Sequence, residues 1–308
     1  MKFENLKDEL LSVVDTSLKY ARSVDKEAEF ELYLFFQSNS RVNIKQGVVE
    51  ATDGVINGNA VRVAKQKHVS FASSGGISVE RVKQSINEAV ASLASASFID
   101  ERFKGFCEPK KPSREGTFSS KILSLSKESL IEYAGSLVRA AQDFDKRILM
   151  AEGNCSADWG GFAVGNTLGL QQASRSASNS CTVSCMAQKN DERRVAYEYD
   201  ITRERLVKIE GLGERAAQKA ISLLGGRRLD KTTVLPTIWE PVAAAAYVAA
   251  SLGESTSGNT VVEGLSPLAD KMGKEVASSN LTIIDHGQNT SSINTEAIAS
   301  EGHPQRRN

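Results

Sequence analysis

Apolar residues recur along this chain at two different spacings, and the points where the spacing changes divide it into elements. Leu6, Leu10, Val13 and Ser17 share one face at helical spacing with charged residues opposite, which predicts an N-terminal helix. The period then falls to two. Phe30, Leu32, Leu34 and Phe36 alternate with Glu29, Glu31 and Tyr33, as a half-buried strand requires. RVNIKQGVVEAT, with a turn at Gln46-Gly47, then AVRVAKQ and HVSFASS continue this as an antiparallel meander. Ser78 stands as an N-cap, with Ile77 and Val82 placed as a hydrophobic staple. Val82, Ile86, Val90 and Leu93 give the second helix a buried face, which should lie on the sheet.

Periodicity is lost over residues 98–120, where Pro109, Pro112 and Gly116 stand among charges, so this stretch reads as a linker. A helix near Lys127–Asp143 follows, with Leu130, Ala134, Leu137 and Ala141 on one side. RILMAEGNCSA, GGFAVGNTLGLQQAS, SCTVSCMAQ and RRVAYEYDI then alternate small, polar and β-branched residues between turns, predicting another antiparallel sheet. GERAAQKAISLLGGRRL reads as a helix stopped at Gly225-Gly226. A short strand, an alanine-rich helix in PVAAAAYVAASLGES and a second strand at LTIID come after it. Helix, meander and helix in succession define an α+β fold. The expected division is an N-terminal α+β domain over 1–97, a linker over 98–120 and a central α+β domain over 121–308. The helix-plus-meander pattern occurs twice with different detail.

Composition narrows the function classes. At 308 residues, 40% hydrophobic and 25% charged, the chain can form two cored domains. Lys plus Arg and Asp plus Glu both number 38, so the formal net charge is zero, which disfavours nucleic acid as a partner. Pro241 to Leu252, the most apolar segment, is about half of the ~20 residues that span a bilayer, and reads as a buried helix. Cys107, Cys155, Cys181 and Cys185 form no C-x-x-C pair, and the polar start MKFENLKDELL carries no secretory signal. A soluble protein in the reducing cytoplasm, with no membrane contact, is the expectation.

Candidate chemistry is sparse. Zinc hydrolysis needs about three protein ligands, an open coordination position and a base, and a helix supplies two ligands when histidines recur one turn apart. His68, His286 and His303 are too far apart in sequence for that. Asp285-His286 and Glu301 with His303 are the remaining polar pairs, and strand ends in solvent account for such pairs more simply. Cys181 and Cys185 lie on one strand face about 13 Å apart, too far for a bond, and suit small core positions. Cys155 is a nucleophile only with a base beside it. Arg193-Arg194, Arg227-Arg228 and Arg306-Arg307 fit solvated turns and ends or an acidic partner. Tyr197 and Tyr199 share a strand face that suits packing or stacking on a peptide.

The order GERAAQKAISLLGGRRL, PVAAAAYVAASLGES, LADKMGKEVASSNLTIID, with VNIKQGVVEATDGVINGNAVRVAKQKHVSFASS before it and ASEGHPQRRN after it, resembles the TldD/PmbA family. The family was once described as modulators of DNA gyrase and is better understood as two-subunit metalloproteases. The GNTLGL turn looks like the family's Asn-Ser-x-Gly turn, with Thr167 in place of Ser. In the catalytic, TldD-like subunit a helix placed like VAAAAYVAAS carries an H-E-x-x-x-H zinc motif, and this chain has none there. The resemblance therefore implies a PmbA/TldE-like, non-catalytic subunit of a heterodimer. Zinc would sit on a TldD-like partner, the substrate would be a peptide or unfolded protein, and no catalytic, cofactor-binding or metal residue carries over to this chain. The family's chains continue past EGHPQRRN into a β-rich region that is missing here. The alternatives are an autonomous peptidase with an unrecognised site, a non-enzymatic binding protein of the gyrase-modulator type, and an inactive truncated relative.

Overall fold

The computed structural model describes residues 1–95, 99–112 and 118–307. The first meander is built from β1 (Glu29–Lys45), β2 (Val48–Lys65) and β3 (His68–Gly75), between helices α1 (Leu6–Val24) and α2 (Val79–Ala94). The second is built from β4 (Ile148–Asn166), β5 (Gln171–Lys189) and β6 (Glu192–Thr202), between α3 (Lys127–Phe144) and α4 (Leu212–Ser222). The turn read at Gln46-Gly47 is present, both residues having positive φ (50° and 79°), as a two-residue hairpin of matching twist demands. Ser78 caps α2 by accepting a hydrogen bond from the Arg81 N–H.

The two meanders were expected to form separate sheets. Instead they join edge to edge in one antiparallel sheet of order β3-β2-β1-β4-β5-β6. The seam pairs β1 with β4, from Glu31 opposite Asn166 to Lys45 opposite Glu152. The strands are also fewer and longer than the pattern suggests, because apparent breaks at small residues in β4 and β5 are absorbed into continuous ladders. The α+β class stands.

All four helices lie on one face of the sheet. Leu32, Leu34, Phe36, Val61 and Val63 meet α1 and α2 in one core cluster. Val42, Cys155, Cys181, Val183 and Cys185 meet α3 and α4 in another. Where α3 crosses β4 the backbones nearly touch: a Cβ on Gly153 would lie 2.7 Å from the Ala134 carbonyl oxygen. The opposite, outer face carries Tyr33, Phe35, Gln37, Asn39, Arg41 and Asn43 of β1, since alternate residues point to opposite sides.

The described part of 98–120 is more than a linker. Phe106 and Cys107 are buried, the Cys107 carbonyl accepts from Asn166 Nδ2 at 2.7 Å, and the Lys110 carbonyl accepts from Gln172. Residues 98 and 113–117 of that stretch lie outside the described residues.

By compactness the chain forms two units, Met1–Gly226 with His286–Asn308, and Arg227–Asp285. The second unit contains α5 (Pro241–Val248) and the short α6 (Gly258–Val262). Two expectations fail in it. The strands read before α5 and at LTIID do not form, because an extended segment needs a neighbouring strand and none of the described residues of this unit supplies one. The alanine-rich helix, read as buried, has no buried residue. Within its own unit the helix is covered only in part, by Trp239 against Tyr247. No described helix is long and apolar enough to cross a membrane.

Candidate functional site

Three segments converge at one end of the outer face: residues 99–112, the turn after β4, and the returning segment 286–307. Asn166 is the buried hub of that turn. Its Nδ2 donates to the Cys107 carbonyl, and its Oδ1 accepts from the backbone N–H groups of Leu168 (3.0 Å) and Leu170 (3.1 Å). Thr167 ties the turn to β1: its N–H donates to the Phe30 carbonyl at 2.9 Å, and its Oγ1 accepts from the Phe30 N–H at 3.0 Å. The resemblance to a family turn thus falls on residues whose groups are occupied in holding strands together.

Two charged clasps hold the returning segment. Arg62 donates through Nε to Glu31 Oε1 at 2.9 Å and through Nη2 to Glu301 at 3.0 Å, with Phe106 under its guanidinium. The buried Arg203 donates to the Thr295 carbonyl and to Glu296 Oε1 at 2.9 Å, while Ser174 Oγ donates to Glu296 Oε2 at 2.8 Å. Burial raises the Glu31 carboxyl above its ordinary pKa despite the opposing pull of Arg62. Its Oε2 is buried and has no hydrogen-bond partner among the described residues.

The candidates read from the sequence scatter. His68 opens β3 opposite Lys65. His286 forms an isolated bridge with Arg307. His303 meets Cys107, whose Sγ lies 3.4 Å from its Nδ1. That thiol also donates to the Glu108 carbonyl, and burial followed by the charge of Glu31 pushes its pKa up. Arg193 donates to Gln188, Arg194 pairs with Glu192, and Arg227, Arg228, Arg306 and Arg307 are exposed. Tyr197 and Tyr199 stack on each other at 6.4 Å on the exposed side of the edge strand β6.

Cys155 and Cys181 stand directly opposite across β4 and β5, Cα–Cα 4.2 Å, and form a disulfide beneath α3. Spacing along the chain could not show this pairing, which depends on the register of two strands. Paired in this way, Cys155 is not free to act as a nucleophile. Cys185 is buried with a free thiol, whose pKa burial pushes up to about 11.

Among the described residues, no three or more His, Cys, Asp or Glu gather as a metal site. The α5 sequence PVAAAAYV offers no imidazole, thiolate or carboxylate, so its residues do not fit zinc.

A helix-backed antiparallel sheet with a clasped return segment defines an α+β fold. Two family models match it, the PmbA/TldA metallopeptidase central domain at residues 120–224 and the PmbA/TldA metallopeptidase C-terminal domain at residues 232–308. Together they cover more than half of the chain, which belongs to the PmbA/TldD family. It is 28% identical over 181 residues to metalloprotease PmbA of Escherichia coli O157:H7, covering 58% of this chain and 40% of that protein. To a metalloprotease PmbA homolog of Buchnera aphidicola it is 25% identical over 240 residues, covering 74% and 52%. An uncharacterised Methanocaldococcus jannaschii protein is 23% identical over 268 residues, covering 86% and 60%. The chain thus spans 40–60% of the length of these relatives. In fold it is similar to TldE from Thermococcus kodakarensis, with a TM-score of 0.82 and 21% identity over 96% of this chain and 66% of that one. A proposed modulator of DNA gyrase from Bacteroides thetaiotaomicron gives a TM-score of 0.83 at 15% identity, covering 98% and 70%.

Proposed function

We propose that this chain is the PmbA/TldE-type subunit of a heterodimeric metalloprotease, a non-catalytic partner for a zinc-bearing TldD-like subunit that hydrolyses peptides or unfolded proteins. The observation that carries this reading is the donor set of α5. In the position where the resemblance puts H-E-x-x-x-H, the helix has only apolar side chains and one tyrosine. Hydrolysis by a zinc-bound water needs ligands and a base that this helix does not have.

Autonomous thiol chemistry is disfavoured by the raised pKa of Cys107 and by the pairing of Cys155 with Cys181. A nucleic-acid-directed role gains nothing from a formal net charge of zero. Co-expression with a TldD-like subunit, followed by co-purification, zinc analysis and peptide hydrolysis of each species, tests the proposal. Zinc and activity are expected in the complex and neither in this chain alone. Stoichiometric zinc on the isolated chain, or peptide cleavage by it, would overturn the assignment.

A further inference from the structure

Three cross-strand rows on the outer face of the sheet build a cavity. In the upper row Phe35, Phe162 and Ser174 stand side by side on β1, β4 and β5. In the middle row come Gln37, Gly160 and Ser176, and in the lower row Asn39, Asp158 and Ser178. The middle row is nearly empty above β4 because Gly160 has no side chain and Ser176 only a hydroxymethyl. Gly160 is imposed from within, since a Cβ there would lie 2.4 Å from the Phe36 carbonyl oxygen. On the far side of β1 the Phe35 ring leans over Gly58, coming within 2.9 Å of where a Cβ would stand, which leaves the floor at Gly160 open.

The result is a cavity of about 280 Å³ with two kinds of wall. One is aromatic: Phe35 stands beside Tyr33 and Phe162, whose rings stack at 5.4 Å and 27°. The other is polar: Asp158, Ser176 and Ser178. The cavity's volume lies at the small end of ligand pockets, which run to roughly 300–1,000 Å³, and has room for one long side chain. Asp158 accepts from the Asn39 amide and from Ser156 Oγ at 3.0 Å, both neutral donors. None of the ion pairs among the described residues involves Asp158, so within them its negative charge has only neutral hydrogen-bond donors.

We propose that this cavity is a subsite for one cationic side chain, lysine or arginine, of an extended peptide, with its alkyl stem along Phe35 and Phe162 and its charge on Asp158. Aromatic faces attract cations and accept alkyl stems, and a charged hydrogen bond to a carboxylate is stronger than a neutral one. The serine hydroxyls supply further acceptors for the N–H groups. That the cation belongs to a peptide rests on the function proposed above; the complementarity of charge and shape does not.

The test uses the whole chain without partner or zinc. It is titrated with a blocked Ala-Lys-Ala tripeptide and with the same peptide carrying norleucine, and amide shifts are followed by NMR. Shifts should centre on Gly160, Ser176 and Ser178, and the lysine peptide should bind about tenfold or more tightly, the range set by one charge-assisted hydrogen bond. Asp158→Asn, which keeps the shape, should abolish the preference for lysine. Ser176→Leu, which fills the cavity, should abolish binding of both peptides. Equal binding of the two peptides, shifts centred elsewhere, or an undiminished preference in Asp158→Asn would overturn the inference. Each variant is checked by its thermal melt, and if one fails to fold the wild-type comparison still decides. A negative result here leaves the co-purification experiment untouched, and failure of that experiment leaves the cation preference standing.

Discussion

Asn166 spends its side-chain hydrogen bonds on backbone groups of two segments: one donated to Cys107 and two accepted from Leu168 and Leu170. Asn166→Ala would strand the buried Cys107 carbonyl and the Leu170 N–H. A buried polar group left without a partner costs about 1–3 kcal/mol, so a loss of at least that size is expected in urea unfolding. Asn166→Asp should be as harmful, because a carboxylate cannot donate to Cys107. At the C-terminal end of α3, Arg147 donates to Asp145 through Nε (2.9 Å) and Nη2 (2.7 Å), and its backbone N–H adds a third bond. The side-chain bonds first, then the backbone bond, hold the Asp145 carboxyl down to about 2. A depressed folded value means that the stabilisation is present above the unfolded pKa, near 3.9, and disappears as pH falls through about 2. An NMR titration of the wild type should place the Asp145 midpoint there, and Arg147→Ala should move it up toward the ordinary carboxylate value. The existence of the turn at Asn166 could be read from its neighbours. The destination of its side chain could not, because the groups it satisfies belong to residue 107.

At the scale of elements, helix identity was the most legible feature. The apolar stripes of α1, α2 and α3 name the buried side of each helix, but Val14 rather than Val13 is fully inside α1, and in α2 Ser85 and Ala89 are buried while Val90 and Leu93 are only half-buried. Capping by Ser78 and the Gln46-Gly47 turn are likewise short-range matters, settled within four residues. Strand length was less legible. Small residues such as Gly153, Gly160 and Gly161 interrupt the alternation that marks a strand, yet they are placed where a helix or a neighbouring backbone comes too close for a Cβ. Gly153→Val puts a side chain against the Ala134 carbonyl and within 3.1 Å of Val138 Cγ2. Overpacking of this kind costs about 1–3 kcal/mol. The expected outcome is a lower urea midpoint with an unchanged slope, and an unchanged midpoint would show that α3 lifts off β4 freely.

The whole molecule contrasts a large cored unit with a second unit that buries little. Within Arg227–Asp285 the large apolar residues Val234, Ile238 and Met272 are 89–100% exposed, whereas Phe30, Leu32 and Leu34 of the first unit are fully buried. Local opening follows the density of buried contacts. Limited proteolysis of the intact chain should therefore cut first within 227–285, read by mass spectrometry of the earliest fragments. First cleavage inside β1 or β4 would contradict this. What the sequence determined by itself was the kind and order of the elements in the first unit, the family likeness and the lack of zinc donors on the alanine-rich helix. Periodicity, caps and side-chain chemistry are properties of near neighbours. Only the tertiary structure decided that two meanders share a sheet, that Cys155 faces Cys181, that the apolar helix α5 is covered only in part within its unit, and that Gly160 opens a cavity beside Asp158. Each of these depends on strand register or on what packs alongside, and the residues that meet across the β1–β4 seam, such as Asn39 and Asp158, are 119 positions apart in the chain.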